Sequence, residues 1–229
     1  MKTPVSKKWQ QEYAHKGIPS SYRTRPSSPV PLGLKALKRR DYRGLRSLDL
    51  GCGRGRNSFY LASRGFEAHC MDFVPGLIRE IKARAKKESR KLKGKIVPRR
   101  GDVTKKWPYP ARHFDYAVDI YCYKHQTSAG ARRRYRKELA RVLKKGAAYV
   151  LSLASKADGF YGKLPRKAGG VVIDPFTGVG SAVFSRTDIE KEFRRREFRL
   201  EKFVERRKRG RMHGKNYLRV TLIFVFRKK

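Results

Sequence analysis

The chain has 229 residues, 39% of them hydrophobic, and sets 59 Lys and Arg against 19 Asp and Glu for a formal net charge of +40. This is enough apolar material for one substantial core, and the length fits one large α/β domain better than two small ones. No run of about 18 apolar residues exists to cross a membrane, and the charge invites polyanions such as RNA or a ribosome, although charge spread along the whole chain serves equally as a solvated surface.

Three cysteines, Cys52, Cys70 and Cys122, form neither a CxxC pair nor a zinc spacing. The pattern favours a reducing, cytoplasmic location with no metal site. The opening MKTPVSKKWQQEY lacks the apolar stretch of a signal peptide. A soluble chain is the expectation, with a monomer favoured and the oligomeric state left open.

Residues 1–40 are polar and broken by Pro19, Pro26, Pro29 and Pro31, so they read as a short helix followed by an irregular flap that can serve as a lid. From Leu45 the pattern alternates. LRSLDL (45–50) is a short buried strand ended by glycines. NSFYLASR (57–64) has helical spacing and closes at Gly65. EAHCMD (67–72) is a second strand, and residues 75–92 form a helix with Ile78, Ile81 and Ala85 on its buried side. KIVPRR is a third strand, which Pro98 confines to an edge or to short length. FDYAVDIYCY (114–123) is a strong fourth strand. In 131–145, Tyr135, Leu139, Val142 and Leu143 share one helical face, with Gly146 as the stop. AAYVLSLAS is the fifth strand.

This order predicts a largely parallel sheet with helices on both faces. The Gly-rich stretch 156–181 reads as a substrate-side insertion. FSRTDIEKEF reads as a helix with Thr187 as N-cap and Glu190 three residues on. RLEKFVERRK and YLRVTLIFVF then close the sheet in antiparallel fashion, joined by a basic turn, RRKRGRMHGK (206–215), that can grip phosphates. The whole reads as one domain: a 1–40 extension, a 45–155 cofactor core, the insertion, and a 182–229 closing unit.

The stretch LDLGCGRGRNSFYLASRGFEAHCMDF (48–73) carries the chemistry. A dinucleotide fingerprint needs GxGxxG, with a third glycine for close helix–strand packing. Read from Gly51, that position is Arg56. The chain has GxGxG instead, Gly51, Gly53 and Gly55, preceded by Asp49. An acid there repels a pyrophosphate at the helix N-terminus and welcomes the ammonium and sulfonium of S-adenosylmethionine. Asp72, at the end of the second strand, can accept from both ribose hydroxyls, so Asp72→Ala is expected to weaken cofactor binding with little loss of fold. Asp102, after the third strand, can accept from the adenine amino group while Val103 packs on the ring.

The string LDLGCGRGRNSFYLASRGFEA resembles the first motif of class I S-adenosylmethionine-dependent methyltransferases, and is most similar to the tellurite-resistance type, LDLGCGxGRNSxYLAxxG. The resemblance covers residues 45–155. It implies a Rossmann-like, twisted seven-stranded sheet, mostly parallel with a C-terminal antiparallel hairpin. It also implies cofactor contacts at Asp49, Gly51, Cys52, Gly53, Asn57, Asp72, Phe73, Asp102 and Val103, with Gly55 completing the turn.

The sulfonium brings its own activation, so the protein need only align an acceptor, exclude water and in some cases remove a proton. The fourth strand ends DIYCYKHQ. His125 is the candidate base, since an imidazole titrates near pH ~6.5. Asp119 is expected at the methionine end of the cofactor, and Tyr121, Tyr123 and Lys124 in the acceptor pocket. Cys122 lacks the Pro-Cys context of a cytosine-C5 methyltransferase and reads as a buried thiol, and DIYC does not match the [DN]PP[YF] motif of base amino-methyltransferases. The motif favours a small-molecule acceptor, such as a thiol, a metalloid oxyanion or a metabolite. The charge favours RNA or a ribosome as the alternative.

Overall fold

The computed structural model describes residues 5–193 and 197–229. Strands β1 (Arg46–Leu50), β2 (Glu67–Asp72), β3 (Lys95–Arg100), β4 (Phe114–Ile120) and β5 (Leu143–Ala154) are mutually parallel, and β9 (Lys215–Lys228) and β8 (Phe198–Met212) complete the sheet antiparallel, in the order β3-β2-β1-β4-β5-β9-β8. Pro98 lies on β3 at the sheet edge, where a missing N–H costs no interior ladder bond. Two short strands, β6 (Val171–Ile173) and β7 (Gly180–Ala182), pair separately within the region of the insertion.

Both faces of the central strands are apolar, as strands covered on two sides require. Tyr149, Leu151 and Leu153 of β5 point one way with Leu222, Phe224 and Phe226 of β9. Helix α6 (Ala129–Val142) covers them with Tyr135 and Leu139, and α7 (Arg186–Glu192) with Ile189. The intervening Ala148, Val150, Ile223 and Val225 face the other layer. That layer is covered by α3 (Pro29–Leu34) and α4 (Arg56–Ser63), with α5 (Pro75–Glu88) farther out over Cys70 through Ile78 and Ile81.

The extension expected as a lid divides its work. Helix α3 belongs to the sheet: Gly33 lets the chain approach so closely that an added Cβ would fall 1.9 Å from Val150 Cγ2, and the Tyr116 hydroxyl donates to the Val30 carbonyl at 2.8 Å. Helices α1 (Val5–His15) and α2 (Pro19–Tyr22), with the segment that follows them as far as Pro29, reach the site.

Three local expectations are corrected. Helix α6 ends at Val142, and Leu143 already pairs with Phe114, so Gly146 (φ +79°) sits in the irregular stretch where the β4–β5 register shifts. Helix α7 is capped by Ser185, not Thr187. Ser185 Oγ accepts from the Asp188 N–H while the Asp188 carboxylate accepts from the Ser185 N–H, a complete capping box two residues earlier. Finally, the basic run 206–212 is strand, not turn. The turn is only His213–Gly214, both in the left-handed region (φ +46° and +80°) as a two-residue hairpin of primed type requires.

Candidate active site

β5 pairs with β9 only as far as Ala154↔Thr221, whereas the β8–β9 pairing runs on to Met212↔Lys215. The hairpin therefore overhangs the carboxyl ends of the parallel strands. Between this overhang, the strand ends and α1–α2 lies a cavity of about 910 Å³. Open α/β sheets bind ligands at this edge, and the volume is at the upper end of the ~300–1,000 Å³ typical of ligand sites.

Gly51 brings the glycine turn to its floor. Gly51 (φ +63°) and Gly53 (φ +57°) hold left-handed backbone that disfavours side chains. A Cβ would also lie 2.8 Å from Cys122 Sγ at Gly51, and 2.1 Å from the Tyr13 hydroxyl at Gly53. Gly55 (φ +74°) is the N-cap of α4. Asp72 links turn and strand: Oδ2 accepts from the Gly53 N–H and Oδ1 from the Val74 N–H, both at 3.0 Å. Burial pushes its pKa upward, and the two backbone donors hold it down. Asp102 Oδ1 accepts from Thr104 N–H and Oγ1–H, at 2.8 Å each, and leaves Oδ2 open at an exposed position.

The structure sorts the site residues read from the sequence into two groups. Gly51, Asp72, Phe73, Asp102, Val103, Tyr121, Lys124 and His125 line the cavity. Asp49, Cys52, Gly53, Gly55, Asn57, Asp119 and Tyr123 do not, and support it from behind.

Asp49 is buried beneath the turn and accepts from Ser58 Oγ at 2.7 Å, and burial pushes its pKa up to about 7. Asn57 Oδ1 accepts from the Ser27 N–H, so its side chain fastens the N-terminal segment. Cys52 packs in the α4–α5 layer beside Cys70, and all three cysteines are free thiols.

Asp119, expected at the cofactor's methionine end, has both oxygens engaged internally. Oδ1 accepts from the Cys122 and Tyr123 N–H groups at 2.8 and 3.1 Å, and Oδ2 from the Tyr135 hydroxyl at 2.5 Å. Burial pushes it up to about 7. It holds the 121–125 turn in place. Tyr123, expected in the pocket, points into the core against Tyr135 and Phe193, with its hydroxyl tied to Glu192 and Arg136. The alternation of the strand breaks at Tyr121 (φ +72°), which turns that ring into the cavity and sends Tyr123 the opposite way.

His125 is roofed by Trp9, edge to face at a ring separation of 4.9 Å. Its Nδ1–H donates to the Gly180 carbonyl at 3.0 Å, which fixes the tautomer and leaves the Nε2 lone pair as the acceptor. Burial, reinforced by Lys124, lowers its pKa to about 3. It is neutral at physiological pH and too weak a base to hold a proton there. Lys124 is fully buried, with Nζ donating to Ser181 Oγ at 2.8 Å and lying 3.3 Å from the Tyr161 ring centre, and burial holds its pKa well below the usual lysine value.

Several residues of the site had no distinctive sequence signal. Arg54, inside the glycine motif, donates to the Tyr13 and Ser21 carbonyls at 3.2 Å and clamps α1–α2 over the turn. Glu12 accepts from the Ile18 N–H and the Ser21 hydroxyl and so shapes the bend between those helices. His213, at the hairpin tip, donates from its backbone N–H to the Gly17 carbonyl and from Nε2 to Asp174 at 2.9 Å, so the lid, the insertion and the hairpin meet at one point.

Residues 48–146 match the family model described as a methyltransferase domain. Among solved structures, an S-adenosylmethionine-dependent methyltransferase from Methanosarcina mazei is similar at 22% identity and a TM-score of 0.72, with 89% of this chain and 98% of that one covered. A TehB-like S-adenosylmethionine-dependent methyltransferase from Corynebacterium glutamicum is similar at 18% identity and a TM-score of 0.58, covering 98% and 96%. The 1,6-didemethyltoxoflavin-N1-methyltransferase of Burkholderia thailandensis, which holds its substrate and S-adenosylhomocysteine, is similar at 19% identity and 0.67, covering 100% and 93%. No curated protein matches the chain. Residues 48–146 thus match a methyltransferase domain, and the chain as a whole shares the fold of these S-adenosylmethionine-dependent methyltransferases. Among the described residues no helix is long and apolar enough to cross a membrane.

Proposed function

We propose that this enzyme methylates a small-molecule acceptor inside the cavity between the parallel strand ends and the β8–β9 overhang. The enclosure carries this reading. Trp9 packs on His125, and Arg54 and Asn57 pin the N-terminal segment over the glycine turn, so the cavity is covered on that side. S-adenosylmethionine supplies, when bound, a methyl group already activated on a sulfonium. The residues fit it: Asp72 offers its remaining lone pairs to the ribose hydroxyls, Asp102 Oδ2 accepts from the adenine amino group, Phe73 and Val103 flank the ring, and Gly51 lets the backbone approach the methionine portion.

The acceptor stands against Tyr121 and His125. Neutral His125 orients it by accepting a hydrogen bond at Nε2, and a proton released from the acceptor leaves through solvent at the cavity mouth. Asp119 and Asp49 act through the turns they hold and are positioning residues. The free cysteines suit a reducing cytoplasm.

The alternative, an RNA or ribosomal acceptor, draws on the net charge of +40. Transfer of labelled methyl from S-adenosylmethionine into a fractionated cell extract separates the two. Label in the low-molecular-weight fraction supports the small-molecule reading, and label confined to RNA or protein refutes it.

A further inference from the structure

The cavity wall is charged asymmetrically. Its acids, Asp72 and Asp102, stand at and just beyond the carboxyl ends of β2 and β3. On the far side, β8 contributes Arg206, Lys208 and Arg209, while Arg23 and Arg25 follow α2, the Arg25 carbonyl accepting from Arg56 at the glycine turn at 3.3 Å. In the sheet order β2 and β8 are five steps apart, roughly 24 Å at the ~4.8 Å strand spacing.

These cations are unneutralised. Arg206 donates to the Ser28 hydroxyl, and among the described residues none of the five meets a carboxylate. Their neighbours differ: Arg207 pairs with Glu205 at 2.9 Å, and Arg219 of β9 pairs with buried Asp158 at 2.8 Å. S-adenosylmethionine, with a sulfonium, an ammonium and one carboxylate, carries net positive charge and is repelled by such a wall. One carboxylate on the cofactor leaves most of these cations without an anion.

We infer that the acceptor is an organic anion, with a phosphate or carboxylate group held by Arg206, Lys208, Arg209 and Arg23 and its methylated atom reaching toward Tyr121 and His125. The inference rests on the methyltransfer reading above. Arginine forks match such groups bidentately, and the two ends of the cavity set the acceptor's length as well as its charge.

The test uses the full chain saturated with S-adenosylhomocysteine, titrated calorimetrically with pyrophosphate, with citrate and with a short single-stranded oligoribonucleotide. Wild type is compared with Arg206→Gln/Lys208→Gln, two exposed residues on one face of the edge strand β8, and with Arg133→Gln/Arg134→Gln, the same charge change at exposed positions of α6. Thermal melts confirm that both variants fold. One small anion is expected to bind per chain, ~10-fold or more weakly in the β8 variant and within twofold of wild type in the α6 variant.

Equal weakening in both variants would mean diffuse charge attraction and overturn the inference. So would no binding of either small anion; oligoribonucleotide binding alone would assign the wall to a nucleic-acid strand. If S-adenosylhomocysteine itself fails to bind, the methyltransfer reading falls, while the anion titration of the ligand-free protein still decides the charge of the pocket.

Discussion

Asp72→Asn is the most informative single substitution in the cofactor half. The carboxylate does two jobs: it accepts from the Gly53 and Val74 N–H groups, and it faces the cavity where the ribose is proposed to lie. An asparagine can keep one of the two backbone bonds, and its amide nitrogen then opposes the other N–H. One buried donor left unpaired costs about 1–3 kcal/mol, or ~2–12 °C in melting temperature for a chain of this size. Losing one charge-assisted bond to a ribose hydroxyl costs about 1.5–3 kcal/mol of binding, equivalent to ~10–150-fold in affinity. Calorimetric titration with S-adenosylhomocysteine, beside a thermal melt, reads both. A lowered melting temperature with affinity within twofold of wild type would refute the ribose placement. The sequence-based expectation that Asp72→Ala leaves the fold nearly untouched is revised by this geometry, because alanine abandons both N–H groups.

Asp119→Asn mimics the protonated acid, with the amide facing the Tyr135 hydroxyl. Because the folded pKa of Asp119 is raised to about 7, the native state holds a proton that the unfolded chain releases, and this contribution to stability declines as pH rises from about 4 to about 7. Asp49 acts in the same sense, while His125, lowered to about 3, contributes stability that grows as pH rises from about 3 to about 6.5. Removing the Asp119 term should make stability rise more steeply with pH over 4–7 than in wild type, by up to ~1.4 kcal/mol per pH unit. Parallel curves from denaturant melts would contradict this. Tyr123→Phe should lower stability by about 1–3 kcal/mol through the lost hydroxyl bonds to Glu192 and Arg136 while leaving S-adenosylhomocysteine affinity within twofold; a selective loss of binding would return Tyr123 to the pocket. For His125, the pH–rate profile should show no inflection near pH 6.5, and one that disappears in His125→Gln would show that the imidazole titrates in the working enzyme.

Alternation and glycine stops carried most of the parallel half of the fold into view. β1, β2 and β3 lie where the pattern LRSLDL, EAHCMD, KIVPRR puts them, and Pro98 marked the edge strand correctly. The boundary at Gly146 misled because a left-handed glycine serves a strand irregularity as readily as a helix end. The run RRKRGR reads as a turn by composition. It folds as strand because the hairpin needs only His213–Gly214 to reverse, and an edge strand tolerates a row of cations.

Within the site, position along the motif was legible and direction was not. Asp72 and Asp102 face the cavity, but Asp49, Asn57 and Asp119 spend their side chains on Ser58, Ser27 and the 121–125 turn, contacts made by backbone geometry that spacing alone does not encode. The exchange of Tyr121 for Tyr123 in the wall depends on one left-handed residue. The clamp from Arg54 to α1 and α2 joins segments 41 and 33 residues apart, so nothing local announces it.

The central claim is that this cavity holds S-adenosylmethionine. Calorimetric titration of the wild-type chain with S-adenosylhomocysteine tests it most directly. The account predicts saturable binding at one site per chain, and no measurable binding by a folded protein would contradict it.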